Sequence, residues 1–255
     1  MIRDKKDKTE EHDRIEGRNS VLEALRANRT INKILIAKGN KEGSIKQIVA
    51  IAKEKNIVLQ EVEKQKLDKI SDTGVHQGVI AYISPVEYVD VSDILKEAKS
   101  KDEPPFIIVL DEIEDPHNFG AILRTANAVG VHGVIIPKRR AVSISTVVSK
   151  ASAGAIEYVK VARVSNIANT IDYLKENGIW VYGIEASGQS KFYETDLKGP
   201  IALVIGSEGR GIGKLRTNKC DFLLNIPMKG EITSLNASVA GAVVMYEVLK
   251  QREQN

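Results

Sequence analysis

The chain has 255 residues, 42% of them apolar, enough to bury a sizeable core and to divide into two domains. Its formal net charge of +3 is too small to demand a nucleic-acid partner, and no stretch approaches the roughly 20 apolar residues that span a bilayer. A single cysteine, Cys220, excludes an intramolecular disulfide and a cysteine-based zinc site, while His12, His76, His117 and His132 show no ligand spacing, so no metal is expected.

Met1 to Lys8 is charged and is followed by no apolar signal segment, so a cytoplasmic protein is expected. Residues 1–13 alternate acid and base and read as a mobile tail. Residues 1–84 carry 17 Lys+Arg against 13 Asp+Glu, a surplus the rest of the chain lacks. That split is consistent with a first domain that meets phosphates, and equally with ordinary variation in surface charge. Asn19 or Ser20 is placed to cap a helix over Val21–Leu25, and Ile34–Ala37 reads as a strand. Apolar residues at 45, 48, 49 and 52 have helical spacing. Ile57–Leu59, a short helix over Lys64–Ile70 and the strand Val79–Ile83 complete a small α/β domain over residues 14–84. His76, in the loop before that last strand, reads as a surface histidine. Residues 85–104 hold Pro85, a short helical pattern and the charged Ser100-Lys101-Asp102-Glu103 before two prolines. They read as a linker.

The second domain, residues 105–255, opens with the apolar run Phe106–Leu110, which stops at Asp111. A polar loop, a small-residue helix over Ala121–Val129 and the run Gly133–Pro137 follow, making a βαβ unit. Its loop lies where open α/β sheets bind ligands, at the carboxyl end of a strand. Asn118 and Arg124 stand out there as a candidate pair. Both also have bland readings: Asn118 as an N-cap and Arg124 as a solvated helix residue. Further on, Ser143–Ser152 reads as helix, Val159–Ala162 as strand and Ile167–Glu176 as an amphipathic helix stopped by Gly178. Trp180–Ile184, with Trp180 expected in the core, and Ile201–Ile205 supply more strands, giving a mostly parallel sheet.

Two later stretches carry chemistry. Gly206-Ser207-Glu208-Gly209-Arg210-Gly211-Ile212-Gly213 permits sharp turns and close approach of backbone to a ligand, yet matches neither a dinucleotide fingerprint nor a P-loop. Ile226-Pro227-Met228 and Ser234-Leu235-Asn236-Ala237-Ser238 crowd polar groups before a terminal helix. From Val239 to Val244 that helix is apolar or small on nearly every side and reads as buried all round.

Taken together, Asp115-Pro116-His117-Asn118-Phe119-Gly120 with Arg124-Thr125-Ala126, then Ile205-Gly206-Ser207-Glu208-Gly209, then Ile226-Pro227-Met228 with Ser234 to Ala240, resemble the three motifs of the SpoU (TrmH-type) family of SPOUT RNA methyltransferases. The first domain, with Glu16-Gly17-Arg18-Asn19 and His76-Gln77-Gly78, looks like the L30e-like domain of the subgroup that methylates a guanosine 2′-hydroxyl in bacterial 23S rRNA. The resemblance implies an α/β fold with a parallel-sheet methyltransferase domain, a deep trefoil knot and a homodimer. It implies S-adenosyl-L-methionine as cofactor, held around Gly206, Ile226, Leu235 and Ser238. Asn118, Arg124, Glu208, Ser234 and Asn236 match the family's catalytic set. Ribosomal RNA is the implied partner, and no membrane. The family mechanism makes the motif-one arginine, here Arg124, the base, which strains against a guanidinium's preference for its charged form. Two answers stay open: burial beside the sulfonium and a helix N-terminus favours the neutral form, or Arg124 stays charged and stabilises the developing alkoxide. Competing readings are a relative acting on tRNA or on another rRNA nucleotide, as resistance methyltransferases do, and a non-catalytic RNA-binding assembly factor.

Overall fold

Apolar runs with no polar interruption, at 106–110 and 201–205, set the two central strands of the larger sheet, because a strand covered on both faces by helices has no solvent side to pattern for. The computed structural model describes residues 14–39, 42–71 and 73–254, so the tail expected over residues 1–13 lies outside them. Two compact units result. The first ends at Glu87 and also takes in Ser143–Val147; the second holds Tyr88–Val142 and the residues from Val148 onward.

In the first unit, β1 (Arg14–Glu16), α1 (Arg18–Arg26), β2 (Ile31–Ala37), α2 (Ser44–Glu54), β3 (Val58–Val62), α3 (Lys64–Ile70) and β4 (Val79–Ile83) follow one another. The sheet order is β1-β4-β2-β3, with β2 and β3 parallel and β4 antiparallel to both its neighbours. Val21 and Leu25 of α1 and Ile45 and Ile48 of α2 bury against Ile34, Ile36 and Ala81 of the sheet. His76, expected at the surface, is instead buried. Its Nδ1 accepts from the Gly78 amide at 3.0 Å and its Nε2 meets Asp68 Oδ1 at 2.8 Å, so both ring nitrogens are used within the fold. That ring holds the turn in which Gln77 takes a left-handed φ of 51°. Gln77 there accepts from Arg18 through both its side-chain and its backbone oxygen.

The second unit contains α4 (Val91–Ser100), β5 (Phe106–Asp111), α5 (Pro116–Ala128), β6 (Gly133–Pro137), β7 (Lys160–Val164), α7 (Ile167–Glu176), β8 (Trp180–Ile184), β9 (Ser190–Lys191), β10 (Ile201–Gly206), α8 (Lys214–Thr217), β11 (Phe222–Asn225) and α9 (Ala237–Glu253); α6 (Thr146–Ala151) follows β6. Its seven strands are parallel in the order β7-β6-β5-β10-β8-β11-β9. Every residue of β5 is buried, in keeping with its unbroken apolar run. One sheet face, through Ile107, Val109, Val181 and Val204, packs on Ile94 of α4 and on Ile171 and Leu174 of α7. Residues 88–104 are therefore no linker: α4 is a structural helix of the second unit, started by a capping box between Asp90 and Asp93.

Two further expectations are corrected by packing. Trp180 is 52% exposed and leans on Phe222, itself 42% exposed, with ring centroids 5.8 Å apart. Nor is α9 buried all round within one chain. Gly241, Val244, Met245 and Val248 face inward, whereas Val239 and Tyr246 are 48% and 53% exposed. A Cβ on Gly241 would stand 2.6 Å from Ile205 Cδ1, so glycine is what lets α9 lie this close to β10.

Candidate active site

β5 and β10 are neighbours in the centre of the seven-stranded sheet, so the loops leaving their carboxyl ends meet. Gly206 ends β10, and the loop that follows folds straight back on it. Ser207 pairs with Gly211, whose amide donates to Ser207 O at 2.9 Å. A Cβ at Gly206 would lie 2.1 Å from the Gly211 carbonyl carbon, so this return exists only because residue 206 has no side chain.

Two carboxylates pin the far end of the loop. Asp111, the last residue of β5, accepts from the Gly213 amide at 2.9 Å and from Arg216 Nε at 2.5 Å. Burial pushes its carboxyl above the usual carboxylate range, against the pull of Gly213 and Arg216. Glu185, one residue beyond β8, accepts from the Ile212 amide. Sequence reading singled out neither Glu185 nor Arg216. The placement of Glu185 just past a parallel strand was the available signal for it, since that end of the sheet is where ligands gather.

With the loop held, three polar residues converge. Asp115, not Asn118, caps α5, its side chain accepting from the His117 amide at 2.7 Å, with Pro116 at the first helical position. Asn118 is thereby left free to reach across the loop. Its Nδ2 donates to Glu208 Oε1 at 3.1 Å, and its Oδ1 accepts from Asn236 Nδ2 at 2.9 Å. Asn236 Nδ2 also donates to Glu208 Oε1. The other end of the Asn236 amide caps α9: its Oδ1 accepts from the Ser238 amide at 2.9 Å, the Ser238 hydroxyl at 2.6 Å and the Val239 amide at 3.3 Å. Three donors on one oxygen fix which way that amide points, so its NH₂ must face Glu208 and Asn118.

Two cavities flank this cluster. One, of about 300 Å³, is lined by Glu112, Glu114, Asp115, Asn118, Glu208 and Arg210 among others. Its neighbour, of about 350 Å³, lies between the loop and the segment before α9, and its lining includes Gly206, Ile226, Met228, Thr233, Ser234 and Leu235. Thus Asn118, Glu208 and Asn236 touch one another, and Gly206, Ile226, Ser234 and Leu235 share the adjoining cavity. Ser238 lines neither cavity and serves the cap of α9. Arg124 is exposed on α5 and lines neither cavity; six residues beyond Asn118, it sits roughly 120° around the helix from it.

The description "SpoU rRNA Methylase family" matches residues 105–246, and "RNA 2'-O ribose methyltransferase substrate binding" matches residues 14–89. YacO of Bacillus subtilis (strain 168), which carries the name of a TrmH family tRNA/rRNA methyltransferase, is 50% identical over 244 residues, 96% of this chain and 98% of its own length. Among solved structures, the SpoU methyltransferase AviRb from Streptomyces viridochromogenes, in complex with the cofactor AdoMet, is similar with a TM-score of 0.61 over 95% of this chain and 91% of that one. At 21% identity it speaks to the fold alone. A crystal structure of an RNA 2′-O ribose methyltransferase is similar with a TM-score of 0.55 at 26% identity, over 94% of this chain and 88% of that one. With a match spanning its whole parallel-sheet unit and a relative at half identity along nearly its full length, the chain belongs to the SpoU rRNA methylase family.

Proposed function

We propose that this chain transfers a methyl group from S-adenosylmethionine to the ribose 2′-hydroxyl of a guanosine in 23S rRNA. RNA methylation follows from family membership. The ribose 2′-hydroxyl is supported by the substrate-binding match of residues 14–89, and the guanosine and the large-subunit RNA are our reading from the resemblance of the motifs around Glu16–Asn19 and His76–Gly78. The observation that carries the reading is the Asn118–Glu208–Asn236 cluster at the mouth of the Gly206 cavity.

The donor set of that cavity fits the cofactor. Ile184, Ile205, Ile226, Met228 and Leu235 offer apolar walls to a nucleoside, and the Thr233 and Ser234 hydroxyls offer polar contacts to its tail. Its volume of about 350 Å³ lies within the range of roughly 300–1,000 Å³ found for small-ligand sites. When bound, the cofactor supplies an electrophilic methyl group on a sulfonium. The chain's own part is alignment and charge. Glu208 and the two amides form a rigid polar edge that can orient a ribose and accept from its hydroxyls, and fixed alignment of reacting partners lowers a barrier by several kcal/mol. Arg124, kept charged, would stabilise the oxygen as it loses its proton.

Since Arg124 stands apart from the cavities of its own chain, this reading calls for a homodimer in which α5 of one copy serves the site of the other. Val239, Val243 and Tyr246, spaced four and three residues apart along one side of α9, offer the apolar face for it. A trefoil knot belongs to the same proposal. The chain leaves β11, beyond β8 from β10, and returns through residues 226–236 to lay α9 against β10, a return that supports this reading. The cytoplasm is the proposed site of action.

Mapping ribose methylation in RNA from cells with and without this gene tests the proposal. Loss of one methylated guanosine in 23S rRNA is the expected result. Loss from tRNA instead would move the substrate there, an alternative that the tRNA/rRNA name of YacO keeps open. An unchanged map, with cofactor still binding in calorimetry, would leave an RNA-binding assembly factor.

A further inference from the structure

We propose that Lys138, Arg139 and Arg140, the basic run that follows β6, hold the phosphates flanking the target ribose, so that the cavity beside Asn118 receives only sugar and base. This rests on the RNA-methyltransferase reading above and deepens it by dividing the substrate between two surfaces.

The division begins with charge. The cavity beside Asn118 is lined by the carboxylates of Glu112, Glu114, Asp115 and Glu208, with Arg210 as the one cationic side chain among its lining residues. Such a floor accepts hydrogen bonds from neutral ribose hydroxyls and repels a phosphodiester. An RNA strand that seats a sugar there must carry its adjacent phosphates away to positive charge nearby. β6 lies next to β5 in the parallel sheet, so the run leaving its carboxyl end emerges beside the loop Glu112–Asp115.

The run is a fixed feature of that edge. The Lys138 amide donates to Val164 O at 2.8 Å, and the Lys138 carbonyl accepts from Arg163 Nη2 at 3.3 Å. Both tie its backbone to β7 while Arg139 and Arg140 remain exposed. Arg140 Nη1 lies 4.0 Å from Glu112 Oε1, with its side chain 80% exposed, so its guanidinium touches the cavity wall and keeps donors for a further anion. Glu112 is already met by Arg216 Nη2 at 3.3 Å. Both residues of the 112–140 contact hold left-handed backbone, with φ of 56° and 55°. Side-chain-bearing residues rarely keep that conformation, and it concentrates at sites of function.

The test uses the full-length chain and a labelled single-stranded oligoribonucleotide of arbitrary sequence. Fluorescence anisotropy across a salt series gives the slope of log affinity against log salt. K138Q/R139Q/R140Q should flatten that slope by roughly 0.7 for each phosphate no longer neutralised, and so by up to about 2. R139K/R140K should keep it, because a phosphate accepts lysine as a point charge. Calorimetric titration with S-adenosylmethionine serves as the folding control, with unchanged affinity expected in all variants. An unchanged salt slope in the triple variant overturns the proposal, as does a loss of cofactor affinity alongside RNA affinity, which marks the run as structural. If the slope flattens as expected but the unmodified chain methylates no RNA, the phosphate surface stands and the activity reading falls. Efficient methylation with an unaltered slope in the triple variant keeps the activity and removes the phosphate surface.

Discussion

Asn236 does two things with one amide: its oxygen caps α9 and its nitrogen joins Asn118 and Glu208. Aspartate caps a helix about as well as asparagine. Asn236→Asp should therefore leave thermal stability nearly unaltered while setting a second carboxylate beside Glu208 in place of a donor. Methyl transfer should fall at least about tenfold, equivalent to roughly 1.4 kcal/mol of transition-state stabilisation. Unimpaired transfer by a folded Asn236→Asp variant would show that the cluster plays no part in the reaction. His132 makes a different residue-scale point. It is buried, its Nδ1 accepting from the Phe106 amide at 3.0 Å and its Nε2 facing Glu103 at 3.1 Å. Burial holds its pKa below the usual imidazole value, outweighing Glu103. Below about pH 6.5 the unfolded chain therefore takes up a proton that folded His132 resists, and this contribution to stability declines as pH falls. Urea midpoints measured from pH 7.5 down to 5.5 should drop more steeply for the native chain than for His132→Gln; parallel profiles would refute the assignment. Cys220 needs no such test, since burial pushes its thiol up to about 12 and leaves it without thiolate at neutral pH.

The element that decides the site is the return of the loop after β10. Gly206→Ala should open it, because the new methyl group would meet backbone and no side-chain rotation can relieve that clash. Cofactor affinity should weaken at least tenfold by calorimetry, and a binding isotherm identical to the native one would mean that the loop does not shape the cavity. The start of α5 gives a milder case. Asp115→Ala removes the side chain that accepts from His117 and should cost about 1 kcal/mol in chemical denaturation. It should also lower activity, since the first turn of α5 is what aims Asn118 at Glu208. A stability loss with full activity would show that Asn118 is aimed by something other than the cap.

For the whole molecule, the proposed dimer joins Arg124 to the apolar side of α9, and one double variant addresses the two together. Val239→Asp with Tyr246→Asp sets charge on the exposed side of α9 and leaves the buried Val244 and Val248 untouched. Sedimentation should report a monomer that still binds cofactor and has lost most methyl transfer, because no second copy then brings Arg124 to the site. A monomer with native activity would mean that Arg124 is not supplied by a partner.

Whatever depends on near neighbours was legible in the amino-acid order. A short, β-branched apolar run such as Phe106–Leu110 reads as a covered strand, and the four glycines from Gly206 to Gly213 read as a tight loop. The family motifs were legible for the same reason, being short strings of adjacent residues. Local pattern offered Asn118 as the cap of α5 where Asp115 fills that place, because both side chains satisfy cap chemistry and only the backbone path selects one. It misplaced Trp180, His76 and the far side of α9, whose burial depends on what packs over them from elsewhere in the chain. It also missed that α4 joins the core, since Ile94 and Ala98 show their worth only against distant strands. The convergence itself came from the three-dimensional arrangement. Asn118 meets Glu208 across 90 residues and Asn236 across 118, because β5 and β10 are neighbours in the sheet and α9 is drawn back against them. Contacts of that range are set by strand order and packing, to which no window of sequence has access.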